Sequence, residues 1–218
     1  MGIKVLDTFA GAGGFSLGFH MAGAETVGAI EIDRWASETF AFNNPDSKVI
    51  QADIKDLSDK DILDNFGSFS PDIVLGGPPC QGYSICNKNN GDPKDPRNSL
   101  FEEFIRVGRV LEPRVMIMEN VPNLLKAQTK DGHKVVEIIR SELESLGYFV
   151  DYKILEATDF GVPQIRRRIV FVASRNRIDL PFPIPTHKVS GNEDIFSNDL
   201  RVCPSLWDAI SDLSLIHI

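Results

Sequence analysis

The chain has 218 residues, a net charge of −8, 42% hydrophobic and 25% charged residues, which suits one α/β domain, or one domain and a fragment. No apolar run approaches the roughly 20 residues of a membrane span. The amino terminus lacks a signal-peptide layout, and Cys80, Cys86 and Cys203 form no CxxC pair, so neither a disulfide framework nor a metal site is indicated. The acidic balance weighs against a self-sufficient nucleic-acid binder, because phosphate contacts need Lys and Arg.

Ile3 to Phe9 is apolar and β-branched enough for a strand, and it runs into Ala10-Gly11-Ala12-Gly13-Gly14. Phe15, Gly18, Phe19 and Ala22 then fall at helical spacing. Strand, glycine turn and helix open a doubly wound sheet, where backbone can approach a ligand, although tight turns also use glycine for steric reasons alone. Thr26 to Ile30 reads as a second strand with Glu31 at its end, placed to accept hydrogen bonds from a ribose. Trp35, Thr39 and Phe40 start a short helix, and Val49-Ile50 marks a third strand ending in Gln51-Ala52-Asp53-Ile54. Asp53 repeats the placement of Glu31; either acid serves alternatively as a helix cap, and Asp53 alone serves equally as a cap or as a ligand contact.

Asp72 to Leu75 is a short apolar run broken by Gly76-Gly77-Pro78-Pro79, as a buried parallel strand stops at its carboxyl edge. Cys80 follows at once. A thiol beside so stiff a backbone is a candidate nucleophile; the plainer reading is a buried structural cysteine. Residues 87–98 read as a surface loop. Ser99 and Glu102 make a capping-box pattern for a helix whose face carries Leu100, Phe104, Val107 and Leu111. Val115 to Met118 is another buried strand, ending in Glu119-Asn120-Val121-Pro122. A helix through Val135, Ile139, Leu143 and Leu146 stops at Gly147. Val150, Tyr152 and Ile154 alternate with charged residues as a one-faced strand, and Arg168 to Ala173 forms its hairpin partner. From Asn176 onward the pattern breaks, with one short helix over Leu206 to Leu213.

Phe9-Ala10-Gly11, Glu31, Asp53, Cys80 and Glu119 thus all sit at or just past a strand's carboxyl end, the rim where open α/β sheets bind ligands. The joint pattern favours Cys80 as nucleophile and Glu119 as acid.

DTFAGAGGFSLGF, GGPPCQGYS, ENV and QIRRR occur in the order and spacing of the DNA cytosine-5 methyltransferase family, and the chain resembles that family over residues 3 to about 173, more weakly through SLWDAISDL. The resemblance implies the Rossmann-like fold of S-adenosylmethionine-dependent methyltransferases: α/β, doubly wound, mostly parallel, with an antiparallel edge hairpin. It implies a catalytic domain over 1–175 and an irregular segment, 176–218, leading to a target-recognition domain absent from the sequence. By position, Phe9, Ala10, Gly11 and Gly14 would cradle S-adenosylmethionine, Glu31 would hold its ribose, Ile32, Asp53 and Ile54 would meet the adenine, and Pro79 and Leu100 would complete the pocket. Cys80 would attack cytosine carbon 6, Glu119 would protonate ring nitrogen 3, and Arg166 and Arg168 would hold the base, with Arg167 a solvated or phosphate-contacting residue. Gln81 and Ser84 would contact double-stranded DNA around a flipped-out nucleotide. The implied setting is a bacterial cytoplasmic restriction-modification system, with a truncated chain, a split enzyme completed by a second polypeptide, or a degenerate remnant as the readings of the missing part. An RNA-acting branch that methylates tRNA shares the motif set, but PPCQGYS resembles the DNA-acting pattern. A non-catalytic binding module is the other alternative, against which the intact Cys80, Glu119, Arg166 and Arg168 argue.

Overall fold

The computed structural model describes residues 2–79, 100–129, 132–179, 182–189 and 200–213. Cys80, Gln81, Ser84, the 87–98 loop and the Ser99 cap therefore lie outside the described residues.

Alternating strands and helices build the first half of the chain: β1 (Lys4–Thr8), α1 (Gly14–Met21), β2 (Glu25–Glu31), α2 (Arg34–Asn43), β3 (Lys48–Gln51), α3 (Asp59–Phe66) and β4 (Ile73–Gly76). The second half continues with α4 (Leu100–Leu111), β5 (Val115–Asn120), α5 (Val135–Ser145), β6 (Phe149–Glu156) and β7 (Arg167–Ser174). A small pair, β8 (His187–Lys188) and β9 (Arg201–Val202), precedes α6 (Leu206–Ile210).

The main sheet has the order β3-β2-β1-β4-β5-β7-β6. Strands β1 to β5 are parallel, so their carboxyl ends share one rim. The chain winds outward from β1 to β3, then returns to the other side of β1 for β4 and β5. The winding therefore reverses between β1 and β4, which is where such sheets open a crevice. β7 is antiparallel to both β5 and β6, so its amino end lies on the rim that carries the other strands' carboxyl ends. The edge hairpin expected from the sequence is thus present, with β6 outermost.

Period-two alternation sends each strand's side chains to two different layers. One face of the sheet, with Leu6, Ile30, Val74, Met116, Met118, Ile169 and Phe171, packs on α3, α4 and α5 through Phe66, Phe104, Ile105 and Ile139. The opposite face carries Val5 and Leu75 under Phe15 and Phe19, and Ala29 under Phe40. Each fully buried Phe contributes on the order of 2 kcal/mol by removal from water.

Two boundaries depart from the sequence expectation. Glu119 lies within β5 rather than past it, because Glu119 and Asn120 stay paired to Val170 and Ile169 of the antiparallel neighbour. Glu31 is likewise the last residue of β2, paired to Gln51. The helix α3 was not expected. Ser58 caps it, accepting from the Asp61 backbone N–H while Asp61 accepts from that of Ser58, and Ile62 and Phe66 supply the buried side. The final helix stops at Ile210, three residues short of the expected span.

Candidate active site at the carboxyl rim

The glycine turn after β1 is held in an unusual conformation. Phe9 has φ 56° and Gly11 φ 55°, left-handed values that are strained for Phe and easy for Gly. Such strain persists only where surrounding structure fixes it. Here Ala10 N–H donates to the Ile30 carbonyl at 3.2 Å and Gly11 N–H donates to Glu31 Oε2 at 2.7 Å. The other Glu31 oxygen accepts from the Asp33 backbone at 2.8 Å. Glu31 thereby ties two neighbouring turns together, and each carboxylate oxygen keeps lone-pair capacity for a further donor.

A cavity of about 400 Å³ opens on this turn, lined by Phe9, Glu31, Ile32, Asp53, Ile54, Gly77, Pro79 and Leu100, with Ile30, Ala52 and Lys55 completing the wall. The residues expected around the ribose and adenine therefore meet in one place, with Phe9 and Pro79 on either side of the switch point; Gly11 lies on the turn beside it and Gly14 opens α1. Ile32 is 61% exposed despite being apolar, and Ile54 is buried, so the two offer an open and a closed apolar surface. Asp53 caps the short 3-10 turn that follows it, accepting from Lys55 N–H at 3.0 Å. A carboxylate acceptor between apolar walls suits a phosphate-free nucleoside, and the residues fit the adenosine part of S-adenosylmethionine.

A second cavity, about 830 Å³, adjoins the first through Phe9 and Gly77. Its walls include Ala10, Gly14, Phe15, Glu119, Leu155, Arg166 and Val170. Alternation explains why these side chains meet. Ile117 and Glu119 leave β5 on the face opposite Met116 and Met118, and Arg168 and Val170 leave β7 on the face opposite Ile169 and Phe171. Arg168 Nε donates to Glu119 Oε1 at 2.6 Å, and Arg166 approaches the same oxygen at 4.0 Å. Arg167 points the other way and faces Glu156 at 3.7 Å. Glu119 Oε2 lies 3.4 Å from the position a Cβ on Gly77 would take, so the carboxylate leans over the backbone that leads into Pro79 and, by covalent connectivity, Cys80.

Sequence reasoning passed over several residues of the site. Asn120 is buried and donates from Nδ2 to the Pro78 carbonyl at 2.9 Å, holding the Pro-Pro segment against β5; a polar residue closing an apolar strand was the available signal. Asp7 lies beneath the glycine turn and accepts from Ser16 Oγ at 2.6 Å. Burial pushes its carboxyl from 3.8 up to about 6, with the Glu31 charge adding to the rise and hydrogen bonds from Ser16 opposing it. Phe182 and Pro183 reach the larger cavity from the segment read as irregular.

Residues 3–214 match the family described as C-5 cytosine-specific DNA methylases. The Type II methyltransferase M.DdeI of Desulfomicrobium norvegicum is 43% identical over 99% of this chain and 49% of its own length. M.AquIA of Picosynechococcus is 37% identical over 96% of this chain and 88% of that relative. A solved structure titled as a prophage-encoded DNA modification methyltransferase of E. coli superposes with a TM-score of 0.77 at 28% identity, covering 97% of this chain and 55% of that one. The chain spans about half the length of M.DdeI and of the Type II methyltransferase M1.HphI of Haemophilus parahaemolyticus, which is 43% identical over 86% of this chain. With the motifs, the winding of the sheet and the match over nearly every residue in agreement, the chain belongs to the C-5 cytosine-specific DNA methylase family.

Proposed function

We propose that these residues form the catalytic and cofactor-binding part of a DNA (cytosine-5-)-methyltransferase, which transfers a methyl group from S-adenosylmethionine to carbon 5 of a cytosine in a specific duplex sequence. The observation that carries the reading is the Arg168–Glu119 pair, with Arg166 beside it, on the wall of a cavity that adjoins the nucleoside-sized one at Phe9 and Gly77. On this reading 1–175 is the catalytic domain and 176–218 leads toward target recognition. The setting is a Type II restriction-modification system in a bacterial cytoplasm. No helix among the described residues is long and apolar enough to cross a membrane.

S-adenosylmethionine, when bound, supplies an electrophilic methyl group on a sulfonium sulfur. Glu31 accepts from the ribose hydroxyls, Ile32, Asp53 and Ile54 receive the adenine, Pro79 and Leu100 close the pocket, and Phe9, Ala10, Gly11 and Gly14 leave backbone room for the rest. Carbon 5 of cytosine is too weakly nucleophilic to take the methyl group unaided. The Cys80 thiolate bonds to carbon 6, Glu119 delivers a proton to ring nitrogen 3, and the resulting enamine makes carbon 5 nucleophilic. Arg168 fixes the Glu119 carboxyl, and Arg166 and Arg168 orient the base. After transfer a base removes the carbon 5 proton, the sulfur–carbon 6 bond breaks, Cys80 departs as thiolate and the proton on ring nitrogen 3 returns to Glu119. The cytosine reaches Cys80 only when flipped out of the stack, with Gln81 and Ser84 on the DNA beside it.

The test is covalent trapping of duplex DNA carrying 5-fluorocytosine in the presence of cofactor, with a relative's recognition segment added in parallel. With that segment present the chain is expected to form the adduct and Cys80→Ser to form none, while calorimetric affinity for S-adenosylmethionine stays unchanged. Trapping that survives Cys80→Ser, or that prefers a fluorinated tRNA, would overturn the assignment.

A further inference from the structure

Arg166 enters the site from a turn that a later part of the chain grips. The turn between β6 and β7 begins with the 3-10 segment Ala157–Phe160 and reverses at Gly161, φ 83°. It is closed internally by Ala157 N–H donating to the Arg166 carbonyl at 2.9 Å and Val162 N–H to the Ala157 carbonyl at 3.2 Å. From outside, Thr186 N–H donates to the Asp159 carbonyl at 2.9 Å. The His187 ring lies so close to Gly161 that a Cβ there would fall 2.8 Å from Cε1, 2.9 Å from Nε2 and 3.0 Å from Nδ1. Thr186 Oγ1 lies 2.9 Å from His187 Nδ1 and fixes the ring's angle. The Cys203 thiol contacts the Val162 carbonyl at 3.5 Å. Pairing of His187 with Arg201 and Lys188 with Val202 joins these contacts into one unit.

We propose that residues 186–188 and 201–203 act as a clasp on the 157–166 turn, and that His187 is a positioning residue for Arg166. The two site arginines are anchored differently. Arg168 sits inside the β6–β7 ladder opposite Leu155, whereas the ladder ends at Arg167 opposite Glu156. Arg166 is the first residue beyond it, 4.0 Å from Glu119 against 2.6 Å for Arg168. The ladder therefore holds Arg168 without help, and the shape of the turn sets the direction of Arg166. Gly161 is suited to the contact twice over, since its left-handed φ disfavours a side chain and the ring fills the place of a Cβ. What Arg166 does rests on the methyltransferase reading; the clasp itself does not.

Amide hydrogen exchange and trapping kinetics on His187→Ala test the two parts separately. Exchange at Gly161 and Val162 is expected to rise about tenfold or more while Val170 and Val172 keep their protection. In trapping of 5-fluorocytosine duplex, His187→Ala and Arg166→Ala are expected to be non-additive, the double variant losing little beyond Arg166→Ala, whereas His187→Ala and Arg168→Ala multiply. S-adenosylmethionine affinity should stay unchanged throughout. His187→Gln, which keeps a partner for Thr186, should give intermediate exchange and stands in if the alanine variant fails to fold. Unaltered exchange in the turn overturns the clasp, and full multiplicativity with Arg166→Ala overturns the link to that arginine. A wild-type chain that traps nothing even with the added recognition segment counts against the methyltransferase reading and leaves the exchange data to decide the clasp.

Discussion

Replacing Asp7 by Asn should remove a pH-dependent destabilisation from the native state. Asp7 sits in the central strand, 1% exposed, and burial raises its carboxyl from 3.8 to about 6 despite the hydrogen bonds from Ser16. Below 3.8 both folded and unfolded chains carry the proton and Asp7 contributes no pH dependence. As pH rises from 3.8 to 6 the unfolded chain releases its proton first, so stability falls; above 6 the penalty is complete. A rise from 3.8 to about 6 corresponds to about 3 kcal/mol lost across that window. The other acidic residues and titratable groups of the chain add their own dependence, so the informative quantity is the difference between wild type and variant. Asn keeps a carbonyl oxygen for the Ser16 hydroxyl but cannot ionise.

The assay is urea unfolding of both proteins at intervals from pH 4 to 7.5, in dilute solution because the chain's pI is near 5.0. Whatever constant offset the Asn amide introduces, the variant should gain on wild type by about 2.5 kcal/mol over that range, with most of the change below pH 6. Curves that stay parallel to within about 0.5 kcal/mol would refute the argument, because a fixed offset cannot imitate a proton released at different pH in the two states.

Two further outcomes separate folding from chemistry at the rim. Gly76→Ala places a Cβ 2.6 Å from both Phe104 Cδ2 and Thr8 Oγ1, and should lower stability by about 3 kcal/mol or more in thermal or urea unfolding; Gly77→Ala, whose Cβ among the described residues meets only Glu119 Oε2 at 3.4 Å, should leave unfolding nearly unchanged while slowing covalent trapping. Arg168→Ala removes the 2.6 Å charge-assisted bond to Glu119 and should slow trapping on the order of 10- to 100-fold, whereas Arg167→Ala, on the opposite face, should alter it less than about threefold; equal losses at the two positions would mean that only total charge matters.

The parallel half of the fold was legible because its strands are short, apolar and punctuated. Asp72 to Leu75, broken at Gly76-Gly77-Pro78-Pro79, reads as a buried strand ending at a rim, and the structure has that strand at Ile73–Gly76. The rim residues were legible for the same reason, since a polar group that closes a buried apolar run must find a partner at the sheet's edge. Helix α3 was harder to see because Asp59, Lys60, Asp61 and Asp64 dominate its sequence; the Ser58–Asp61 capping pattern was the usable sign. Asp7 escaped notice because a charged residue inside an apolar strand declares nothing about its partner: Ser16 lies beyond the glycine turn, inside the next helix, and is adjacent only in space. The grip of His187 on Gly161 is longer range still and depends on a φ that composition does not reveal.

The reversal of β7 explains how three consecutive arginines come to serve different ends. A parallel strand in that position would present its amino end at the far edge of the sheet, away from Glu119. Running antiparallel, β7 starts at the rim and delivers Arg166 and Arg168 to the face shared with Glu119, leaving Arg167 with Glu156. A slip of one residue would exchange the faces, turning Arg167 toward Glu119 and Ile169 and Phe171 out of the core. Ile169 and Phe171, both essentially inaccessible to solvent, therefore hold the register of β7 through packing, since each would forfeit on the order of 2 kcal/mol on leaving it. The hydrophobic layer on one side of β7 thus determines which arginines reach the carboxylate on the other.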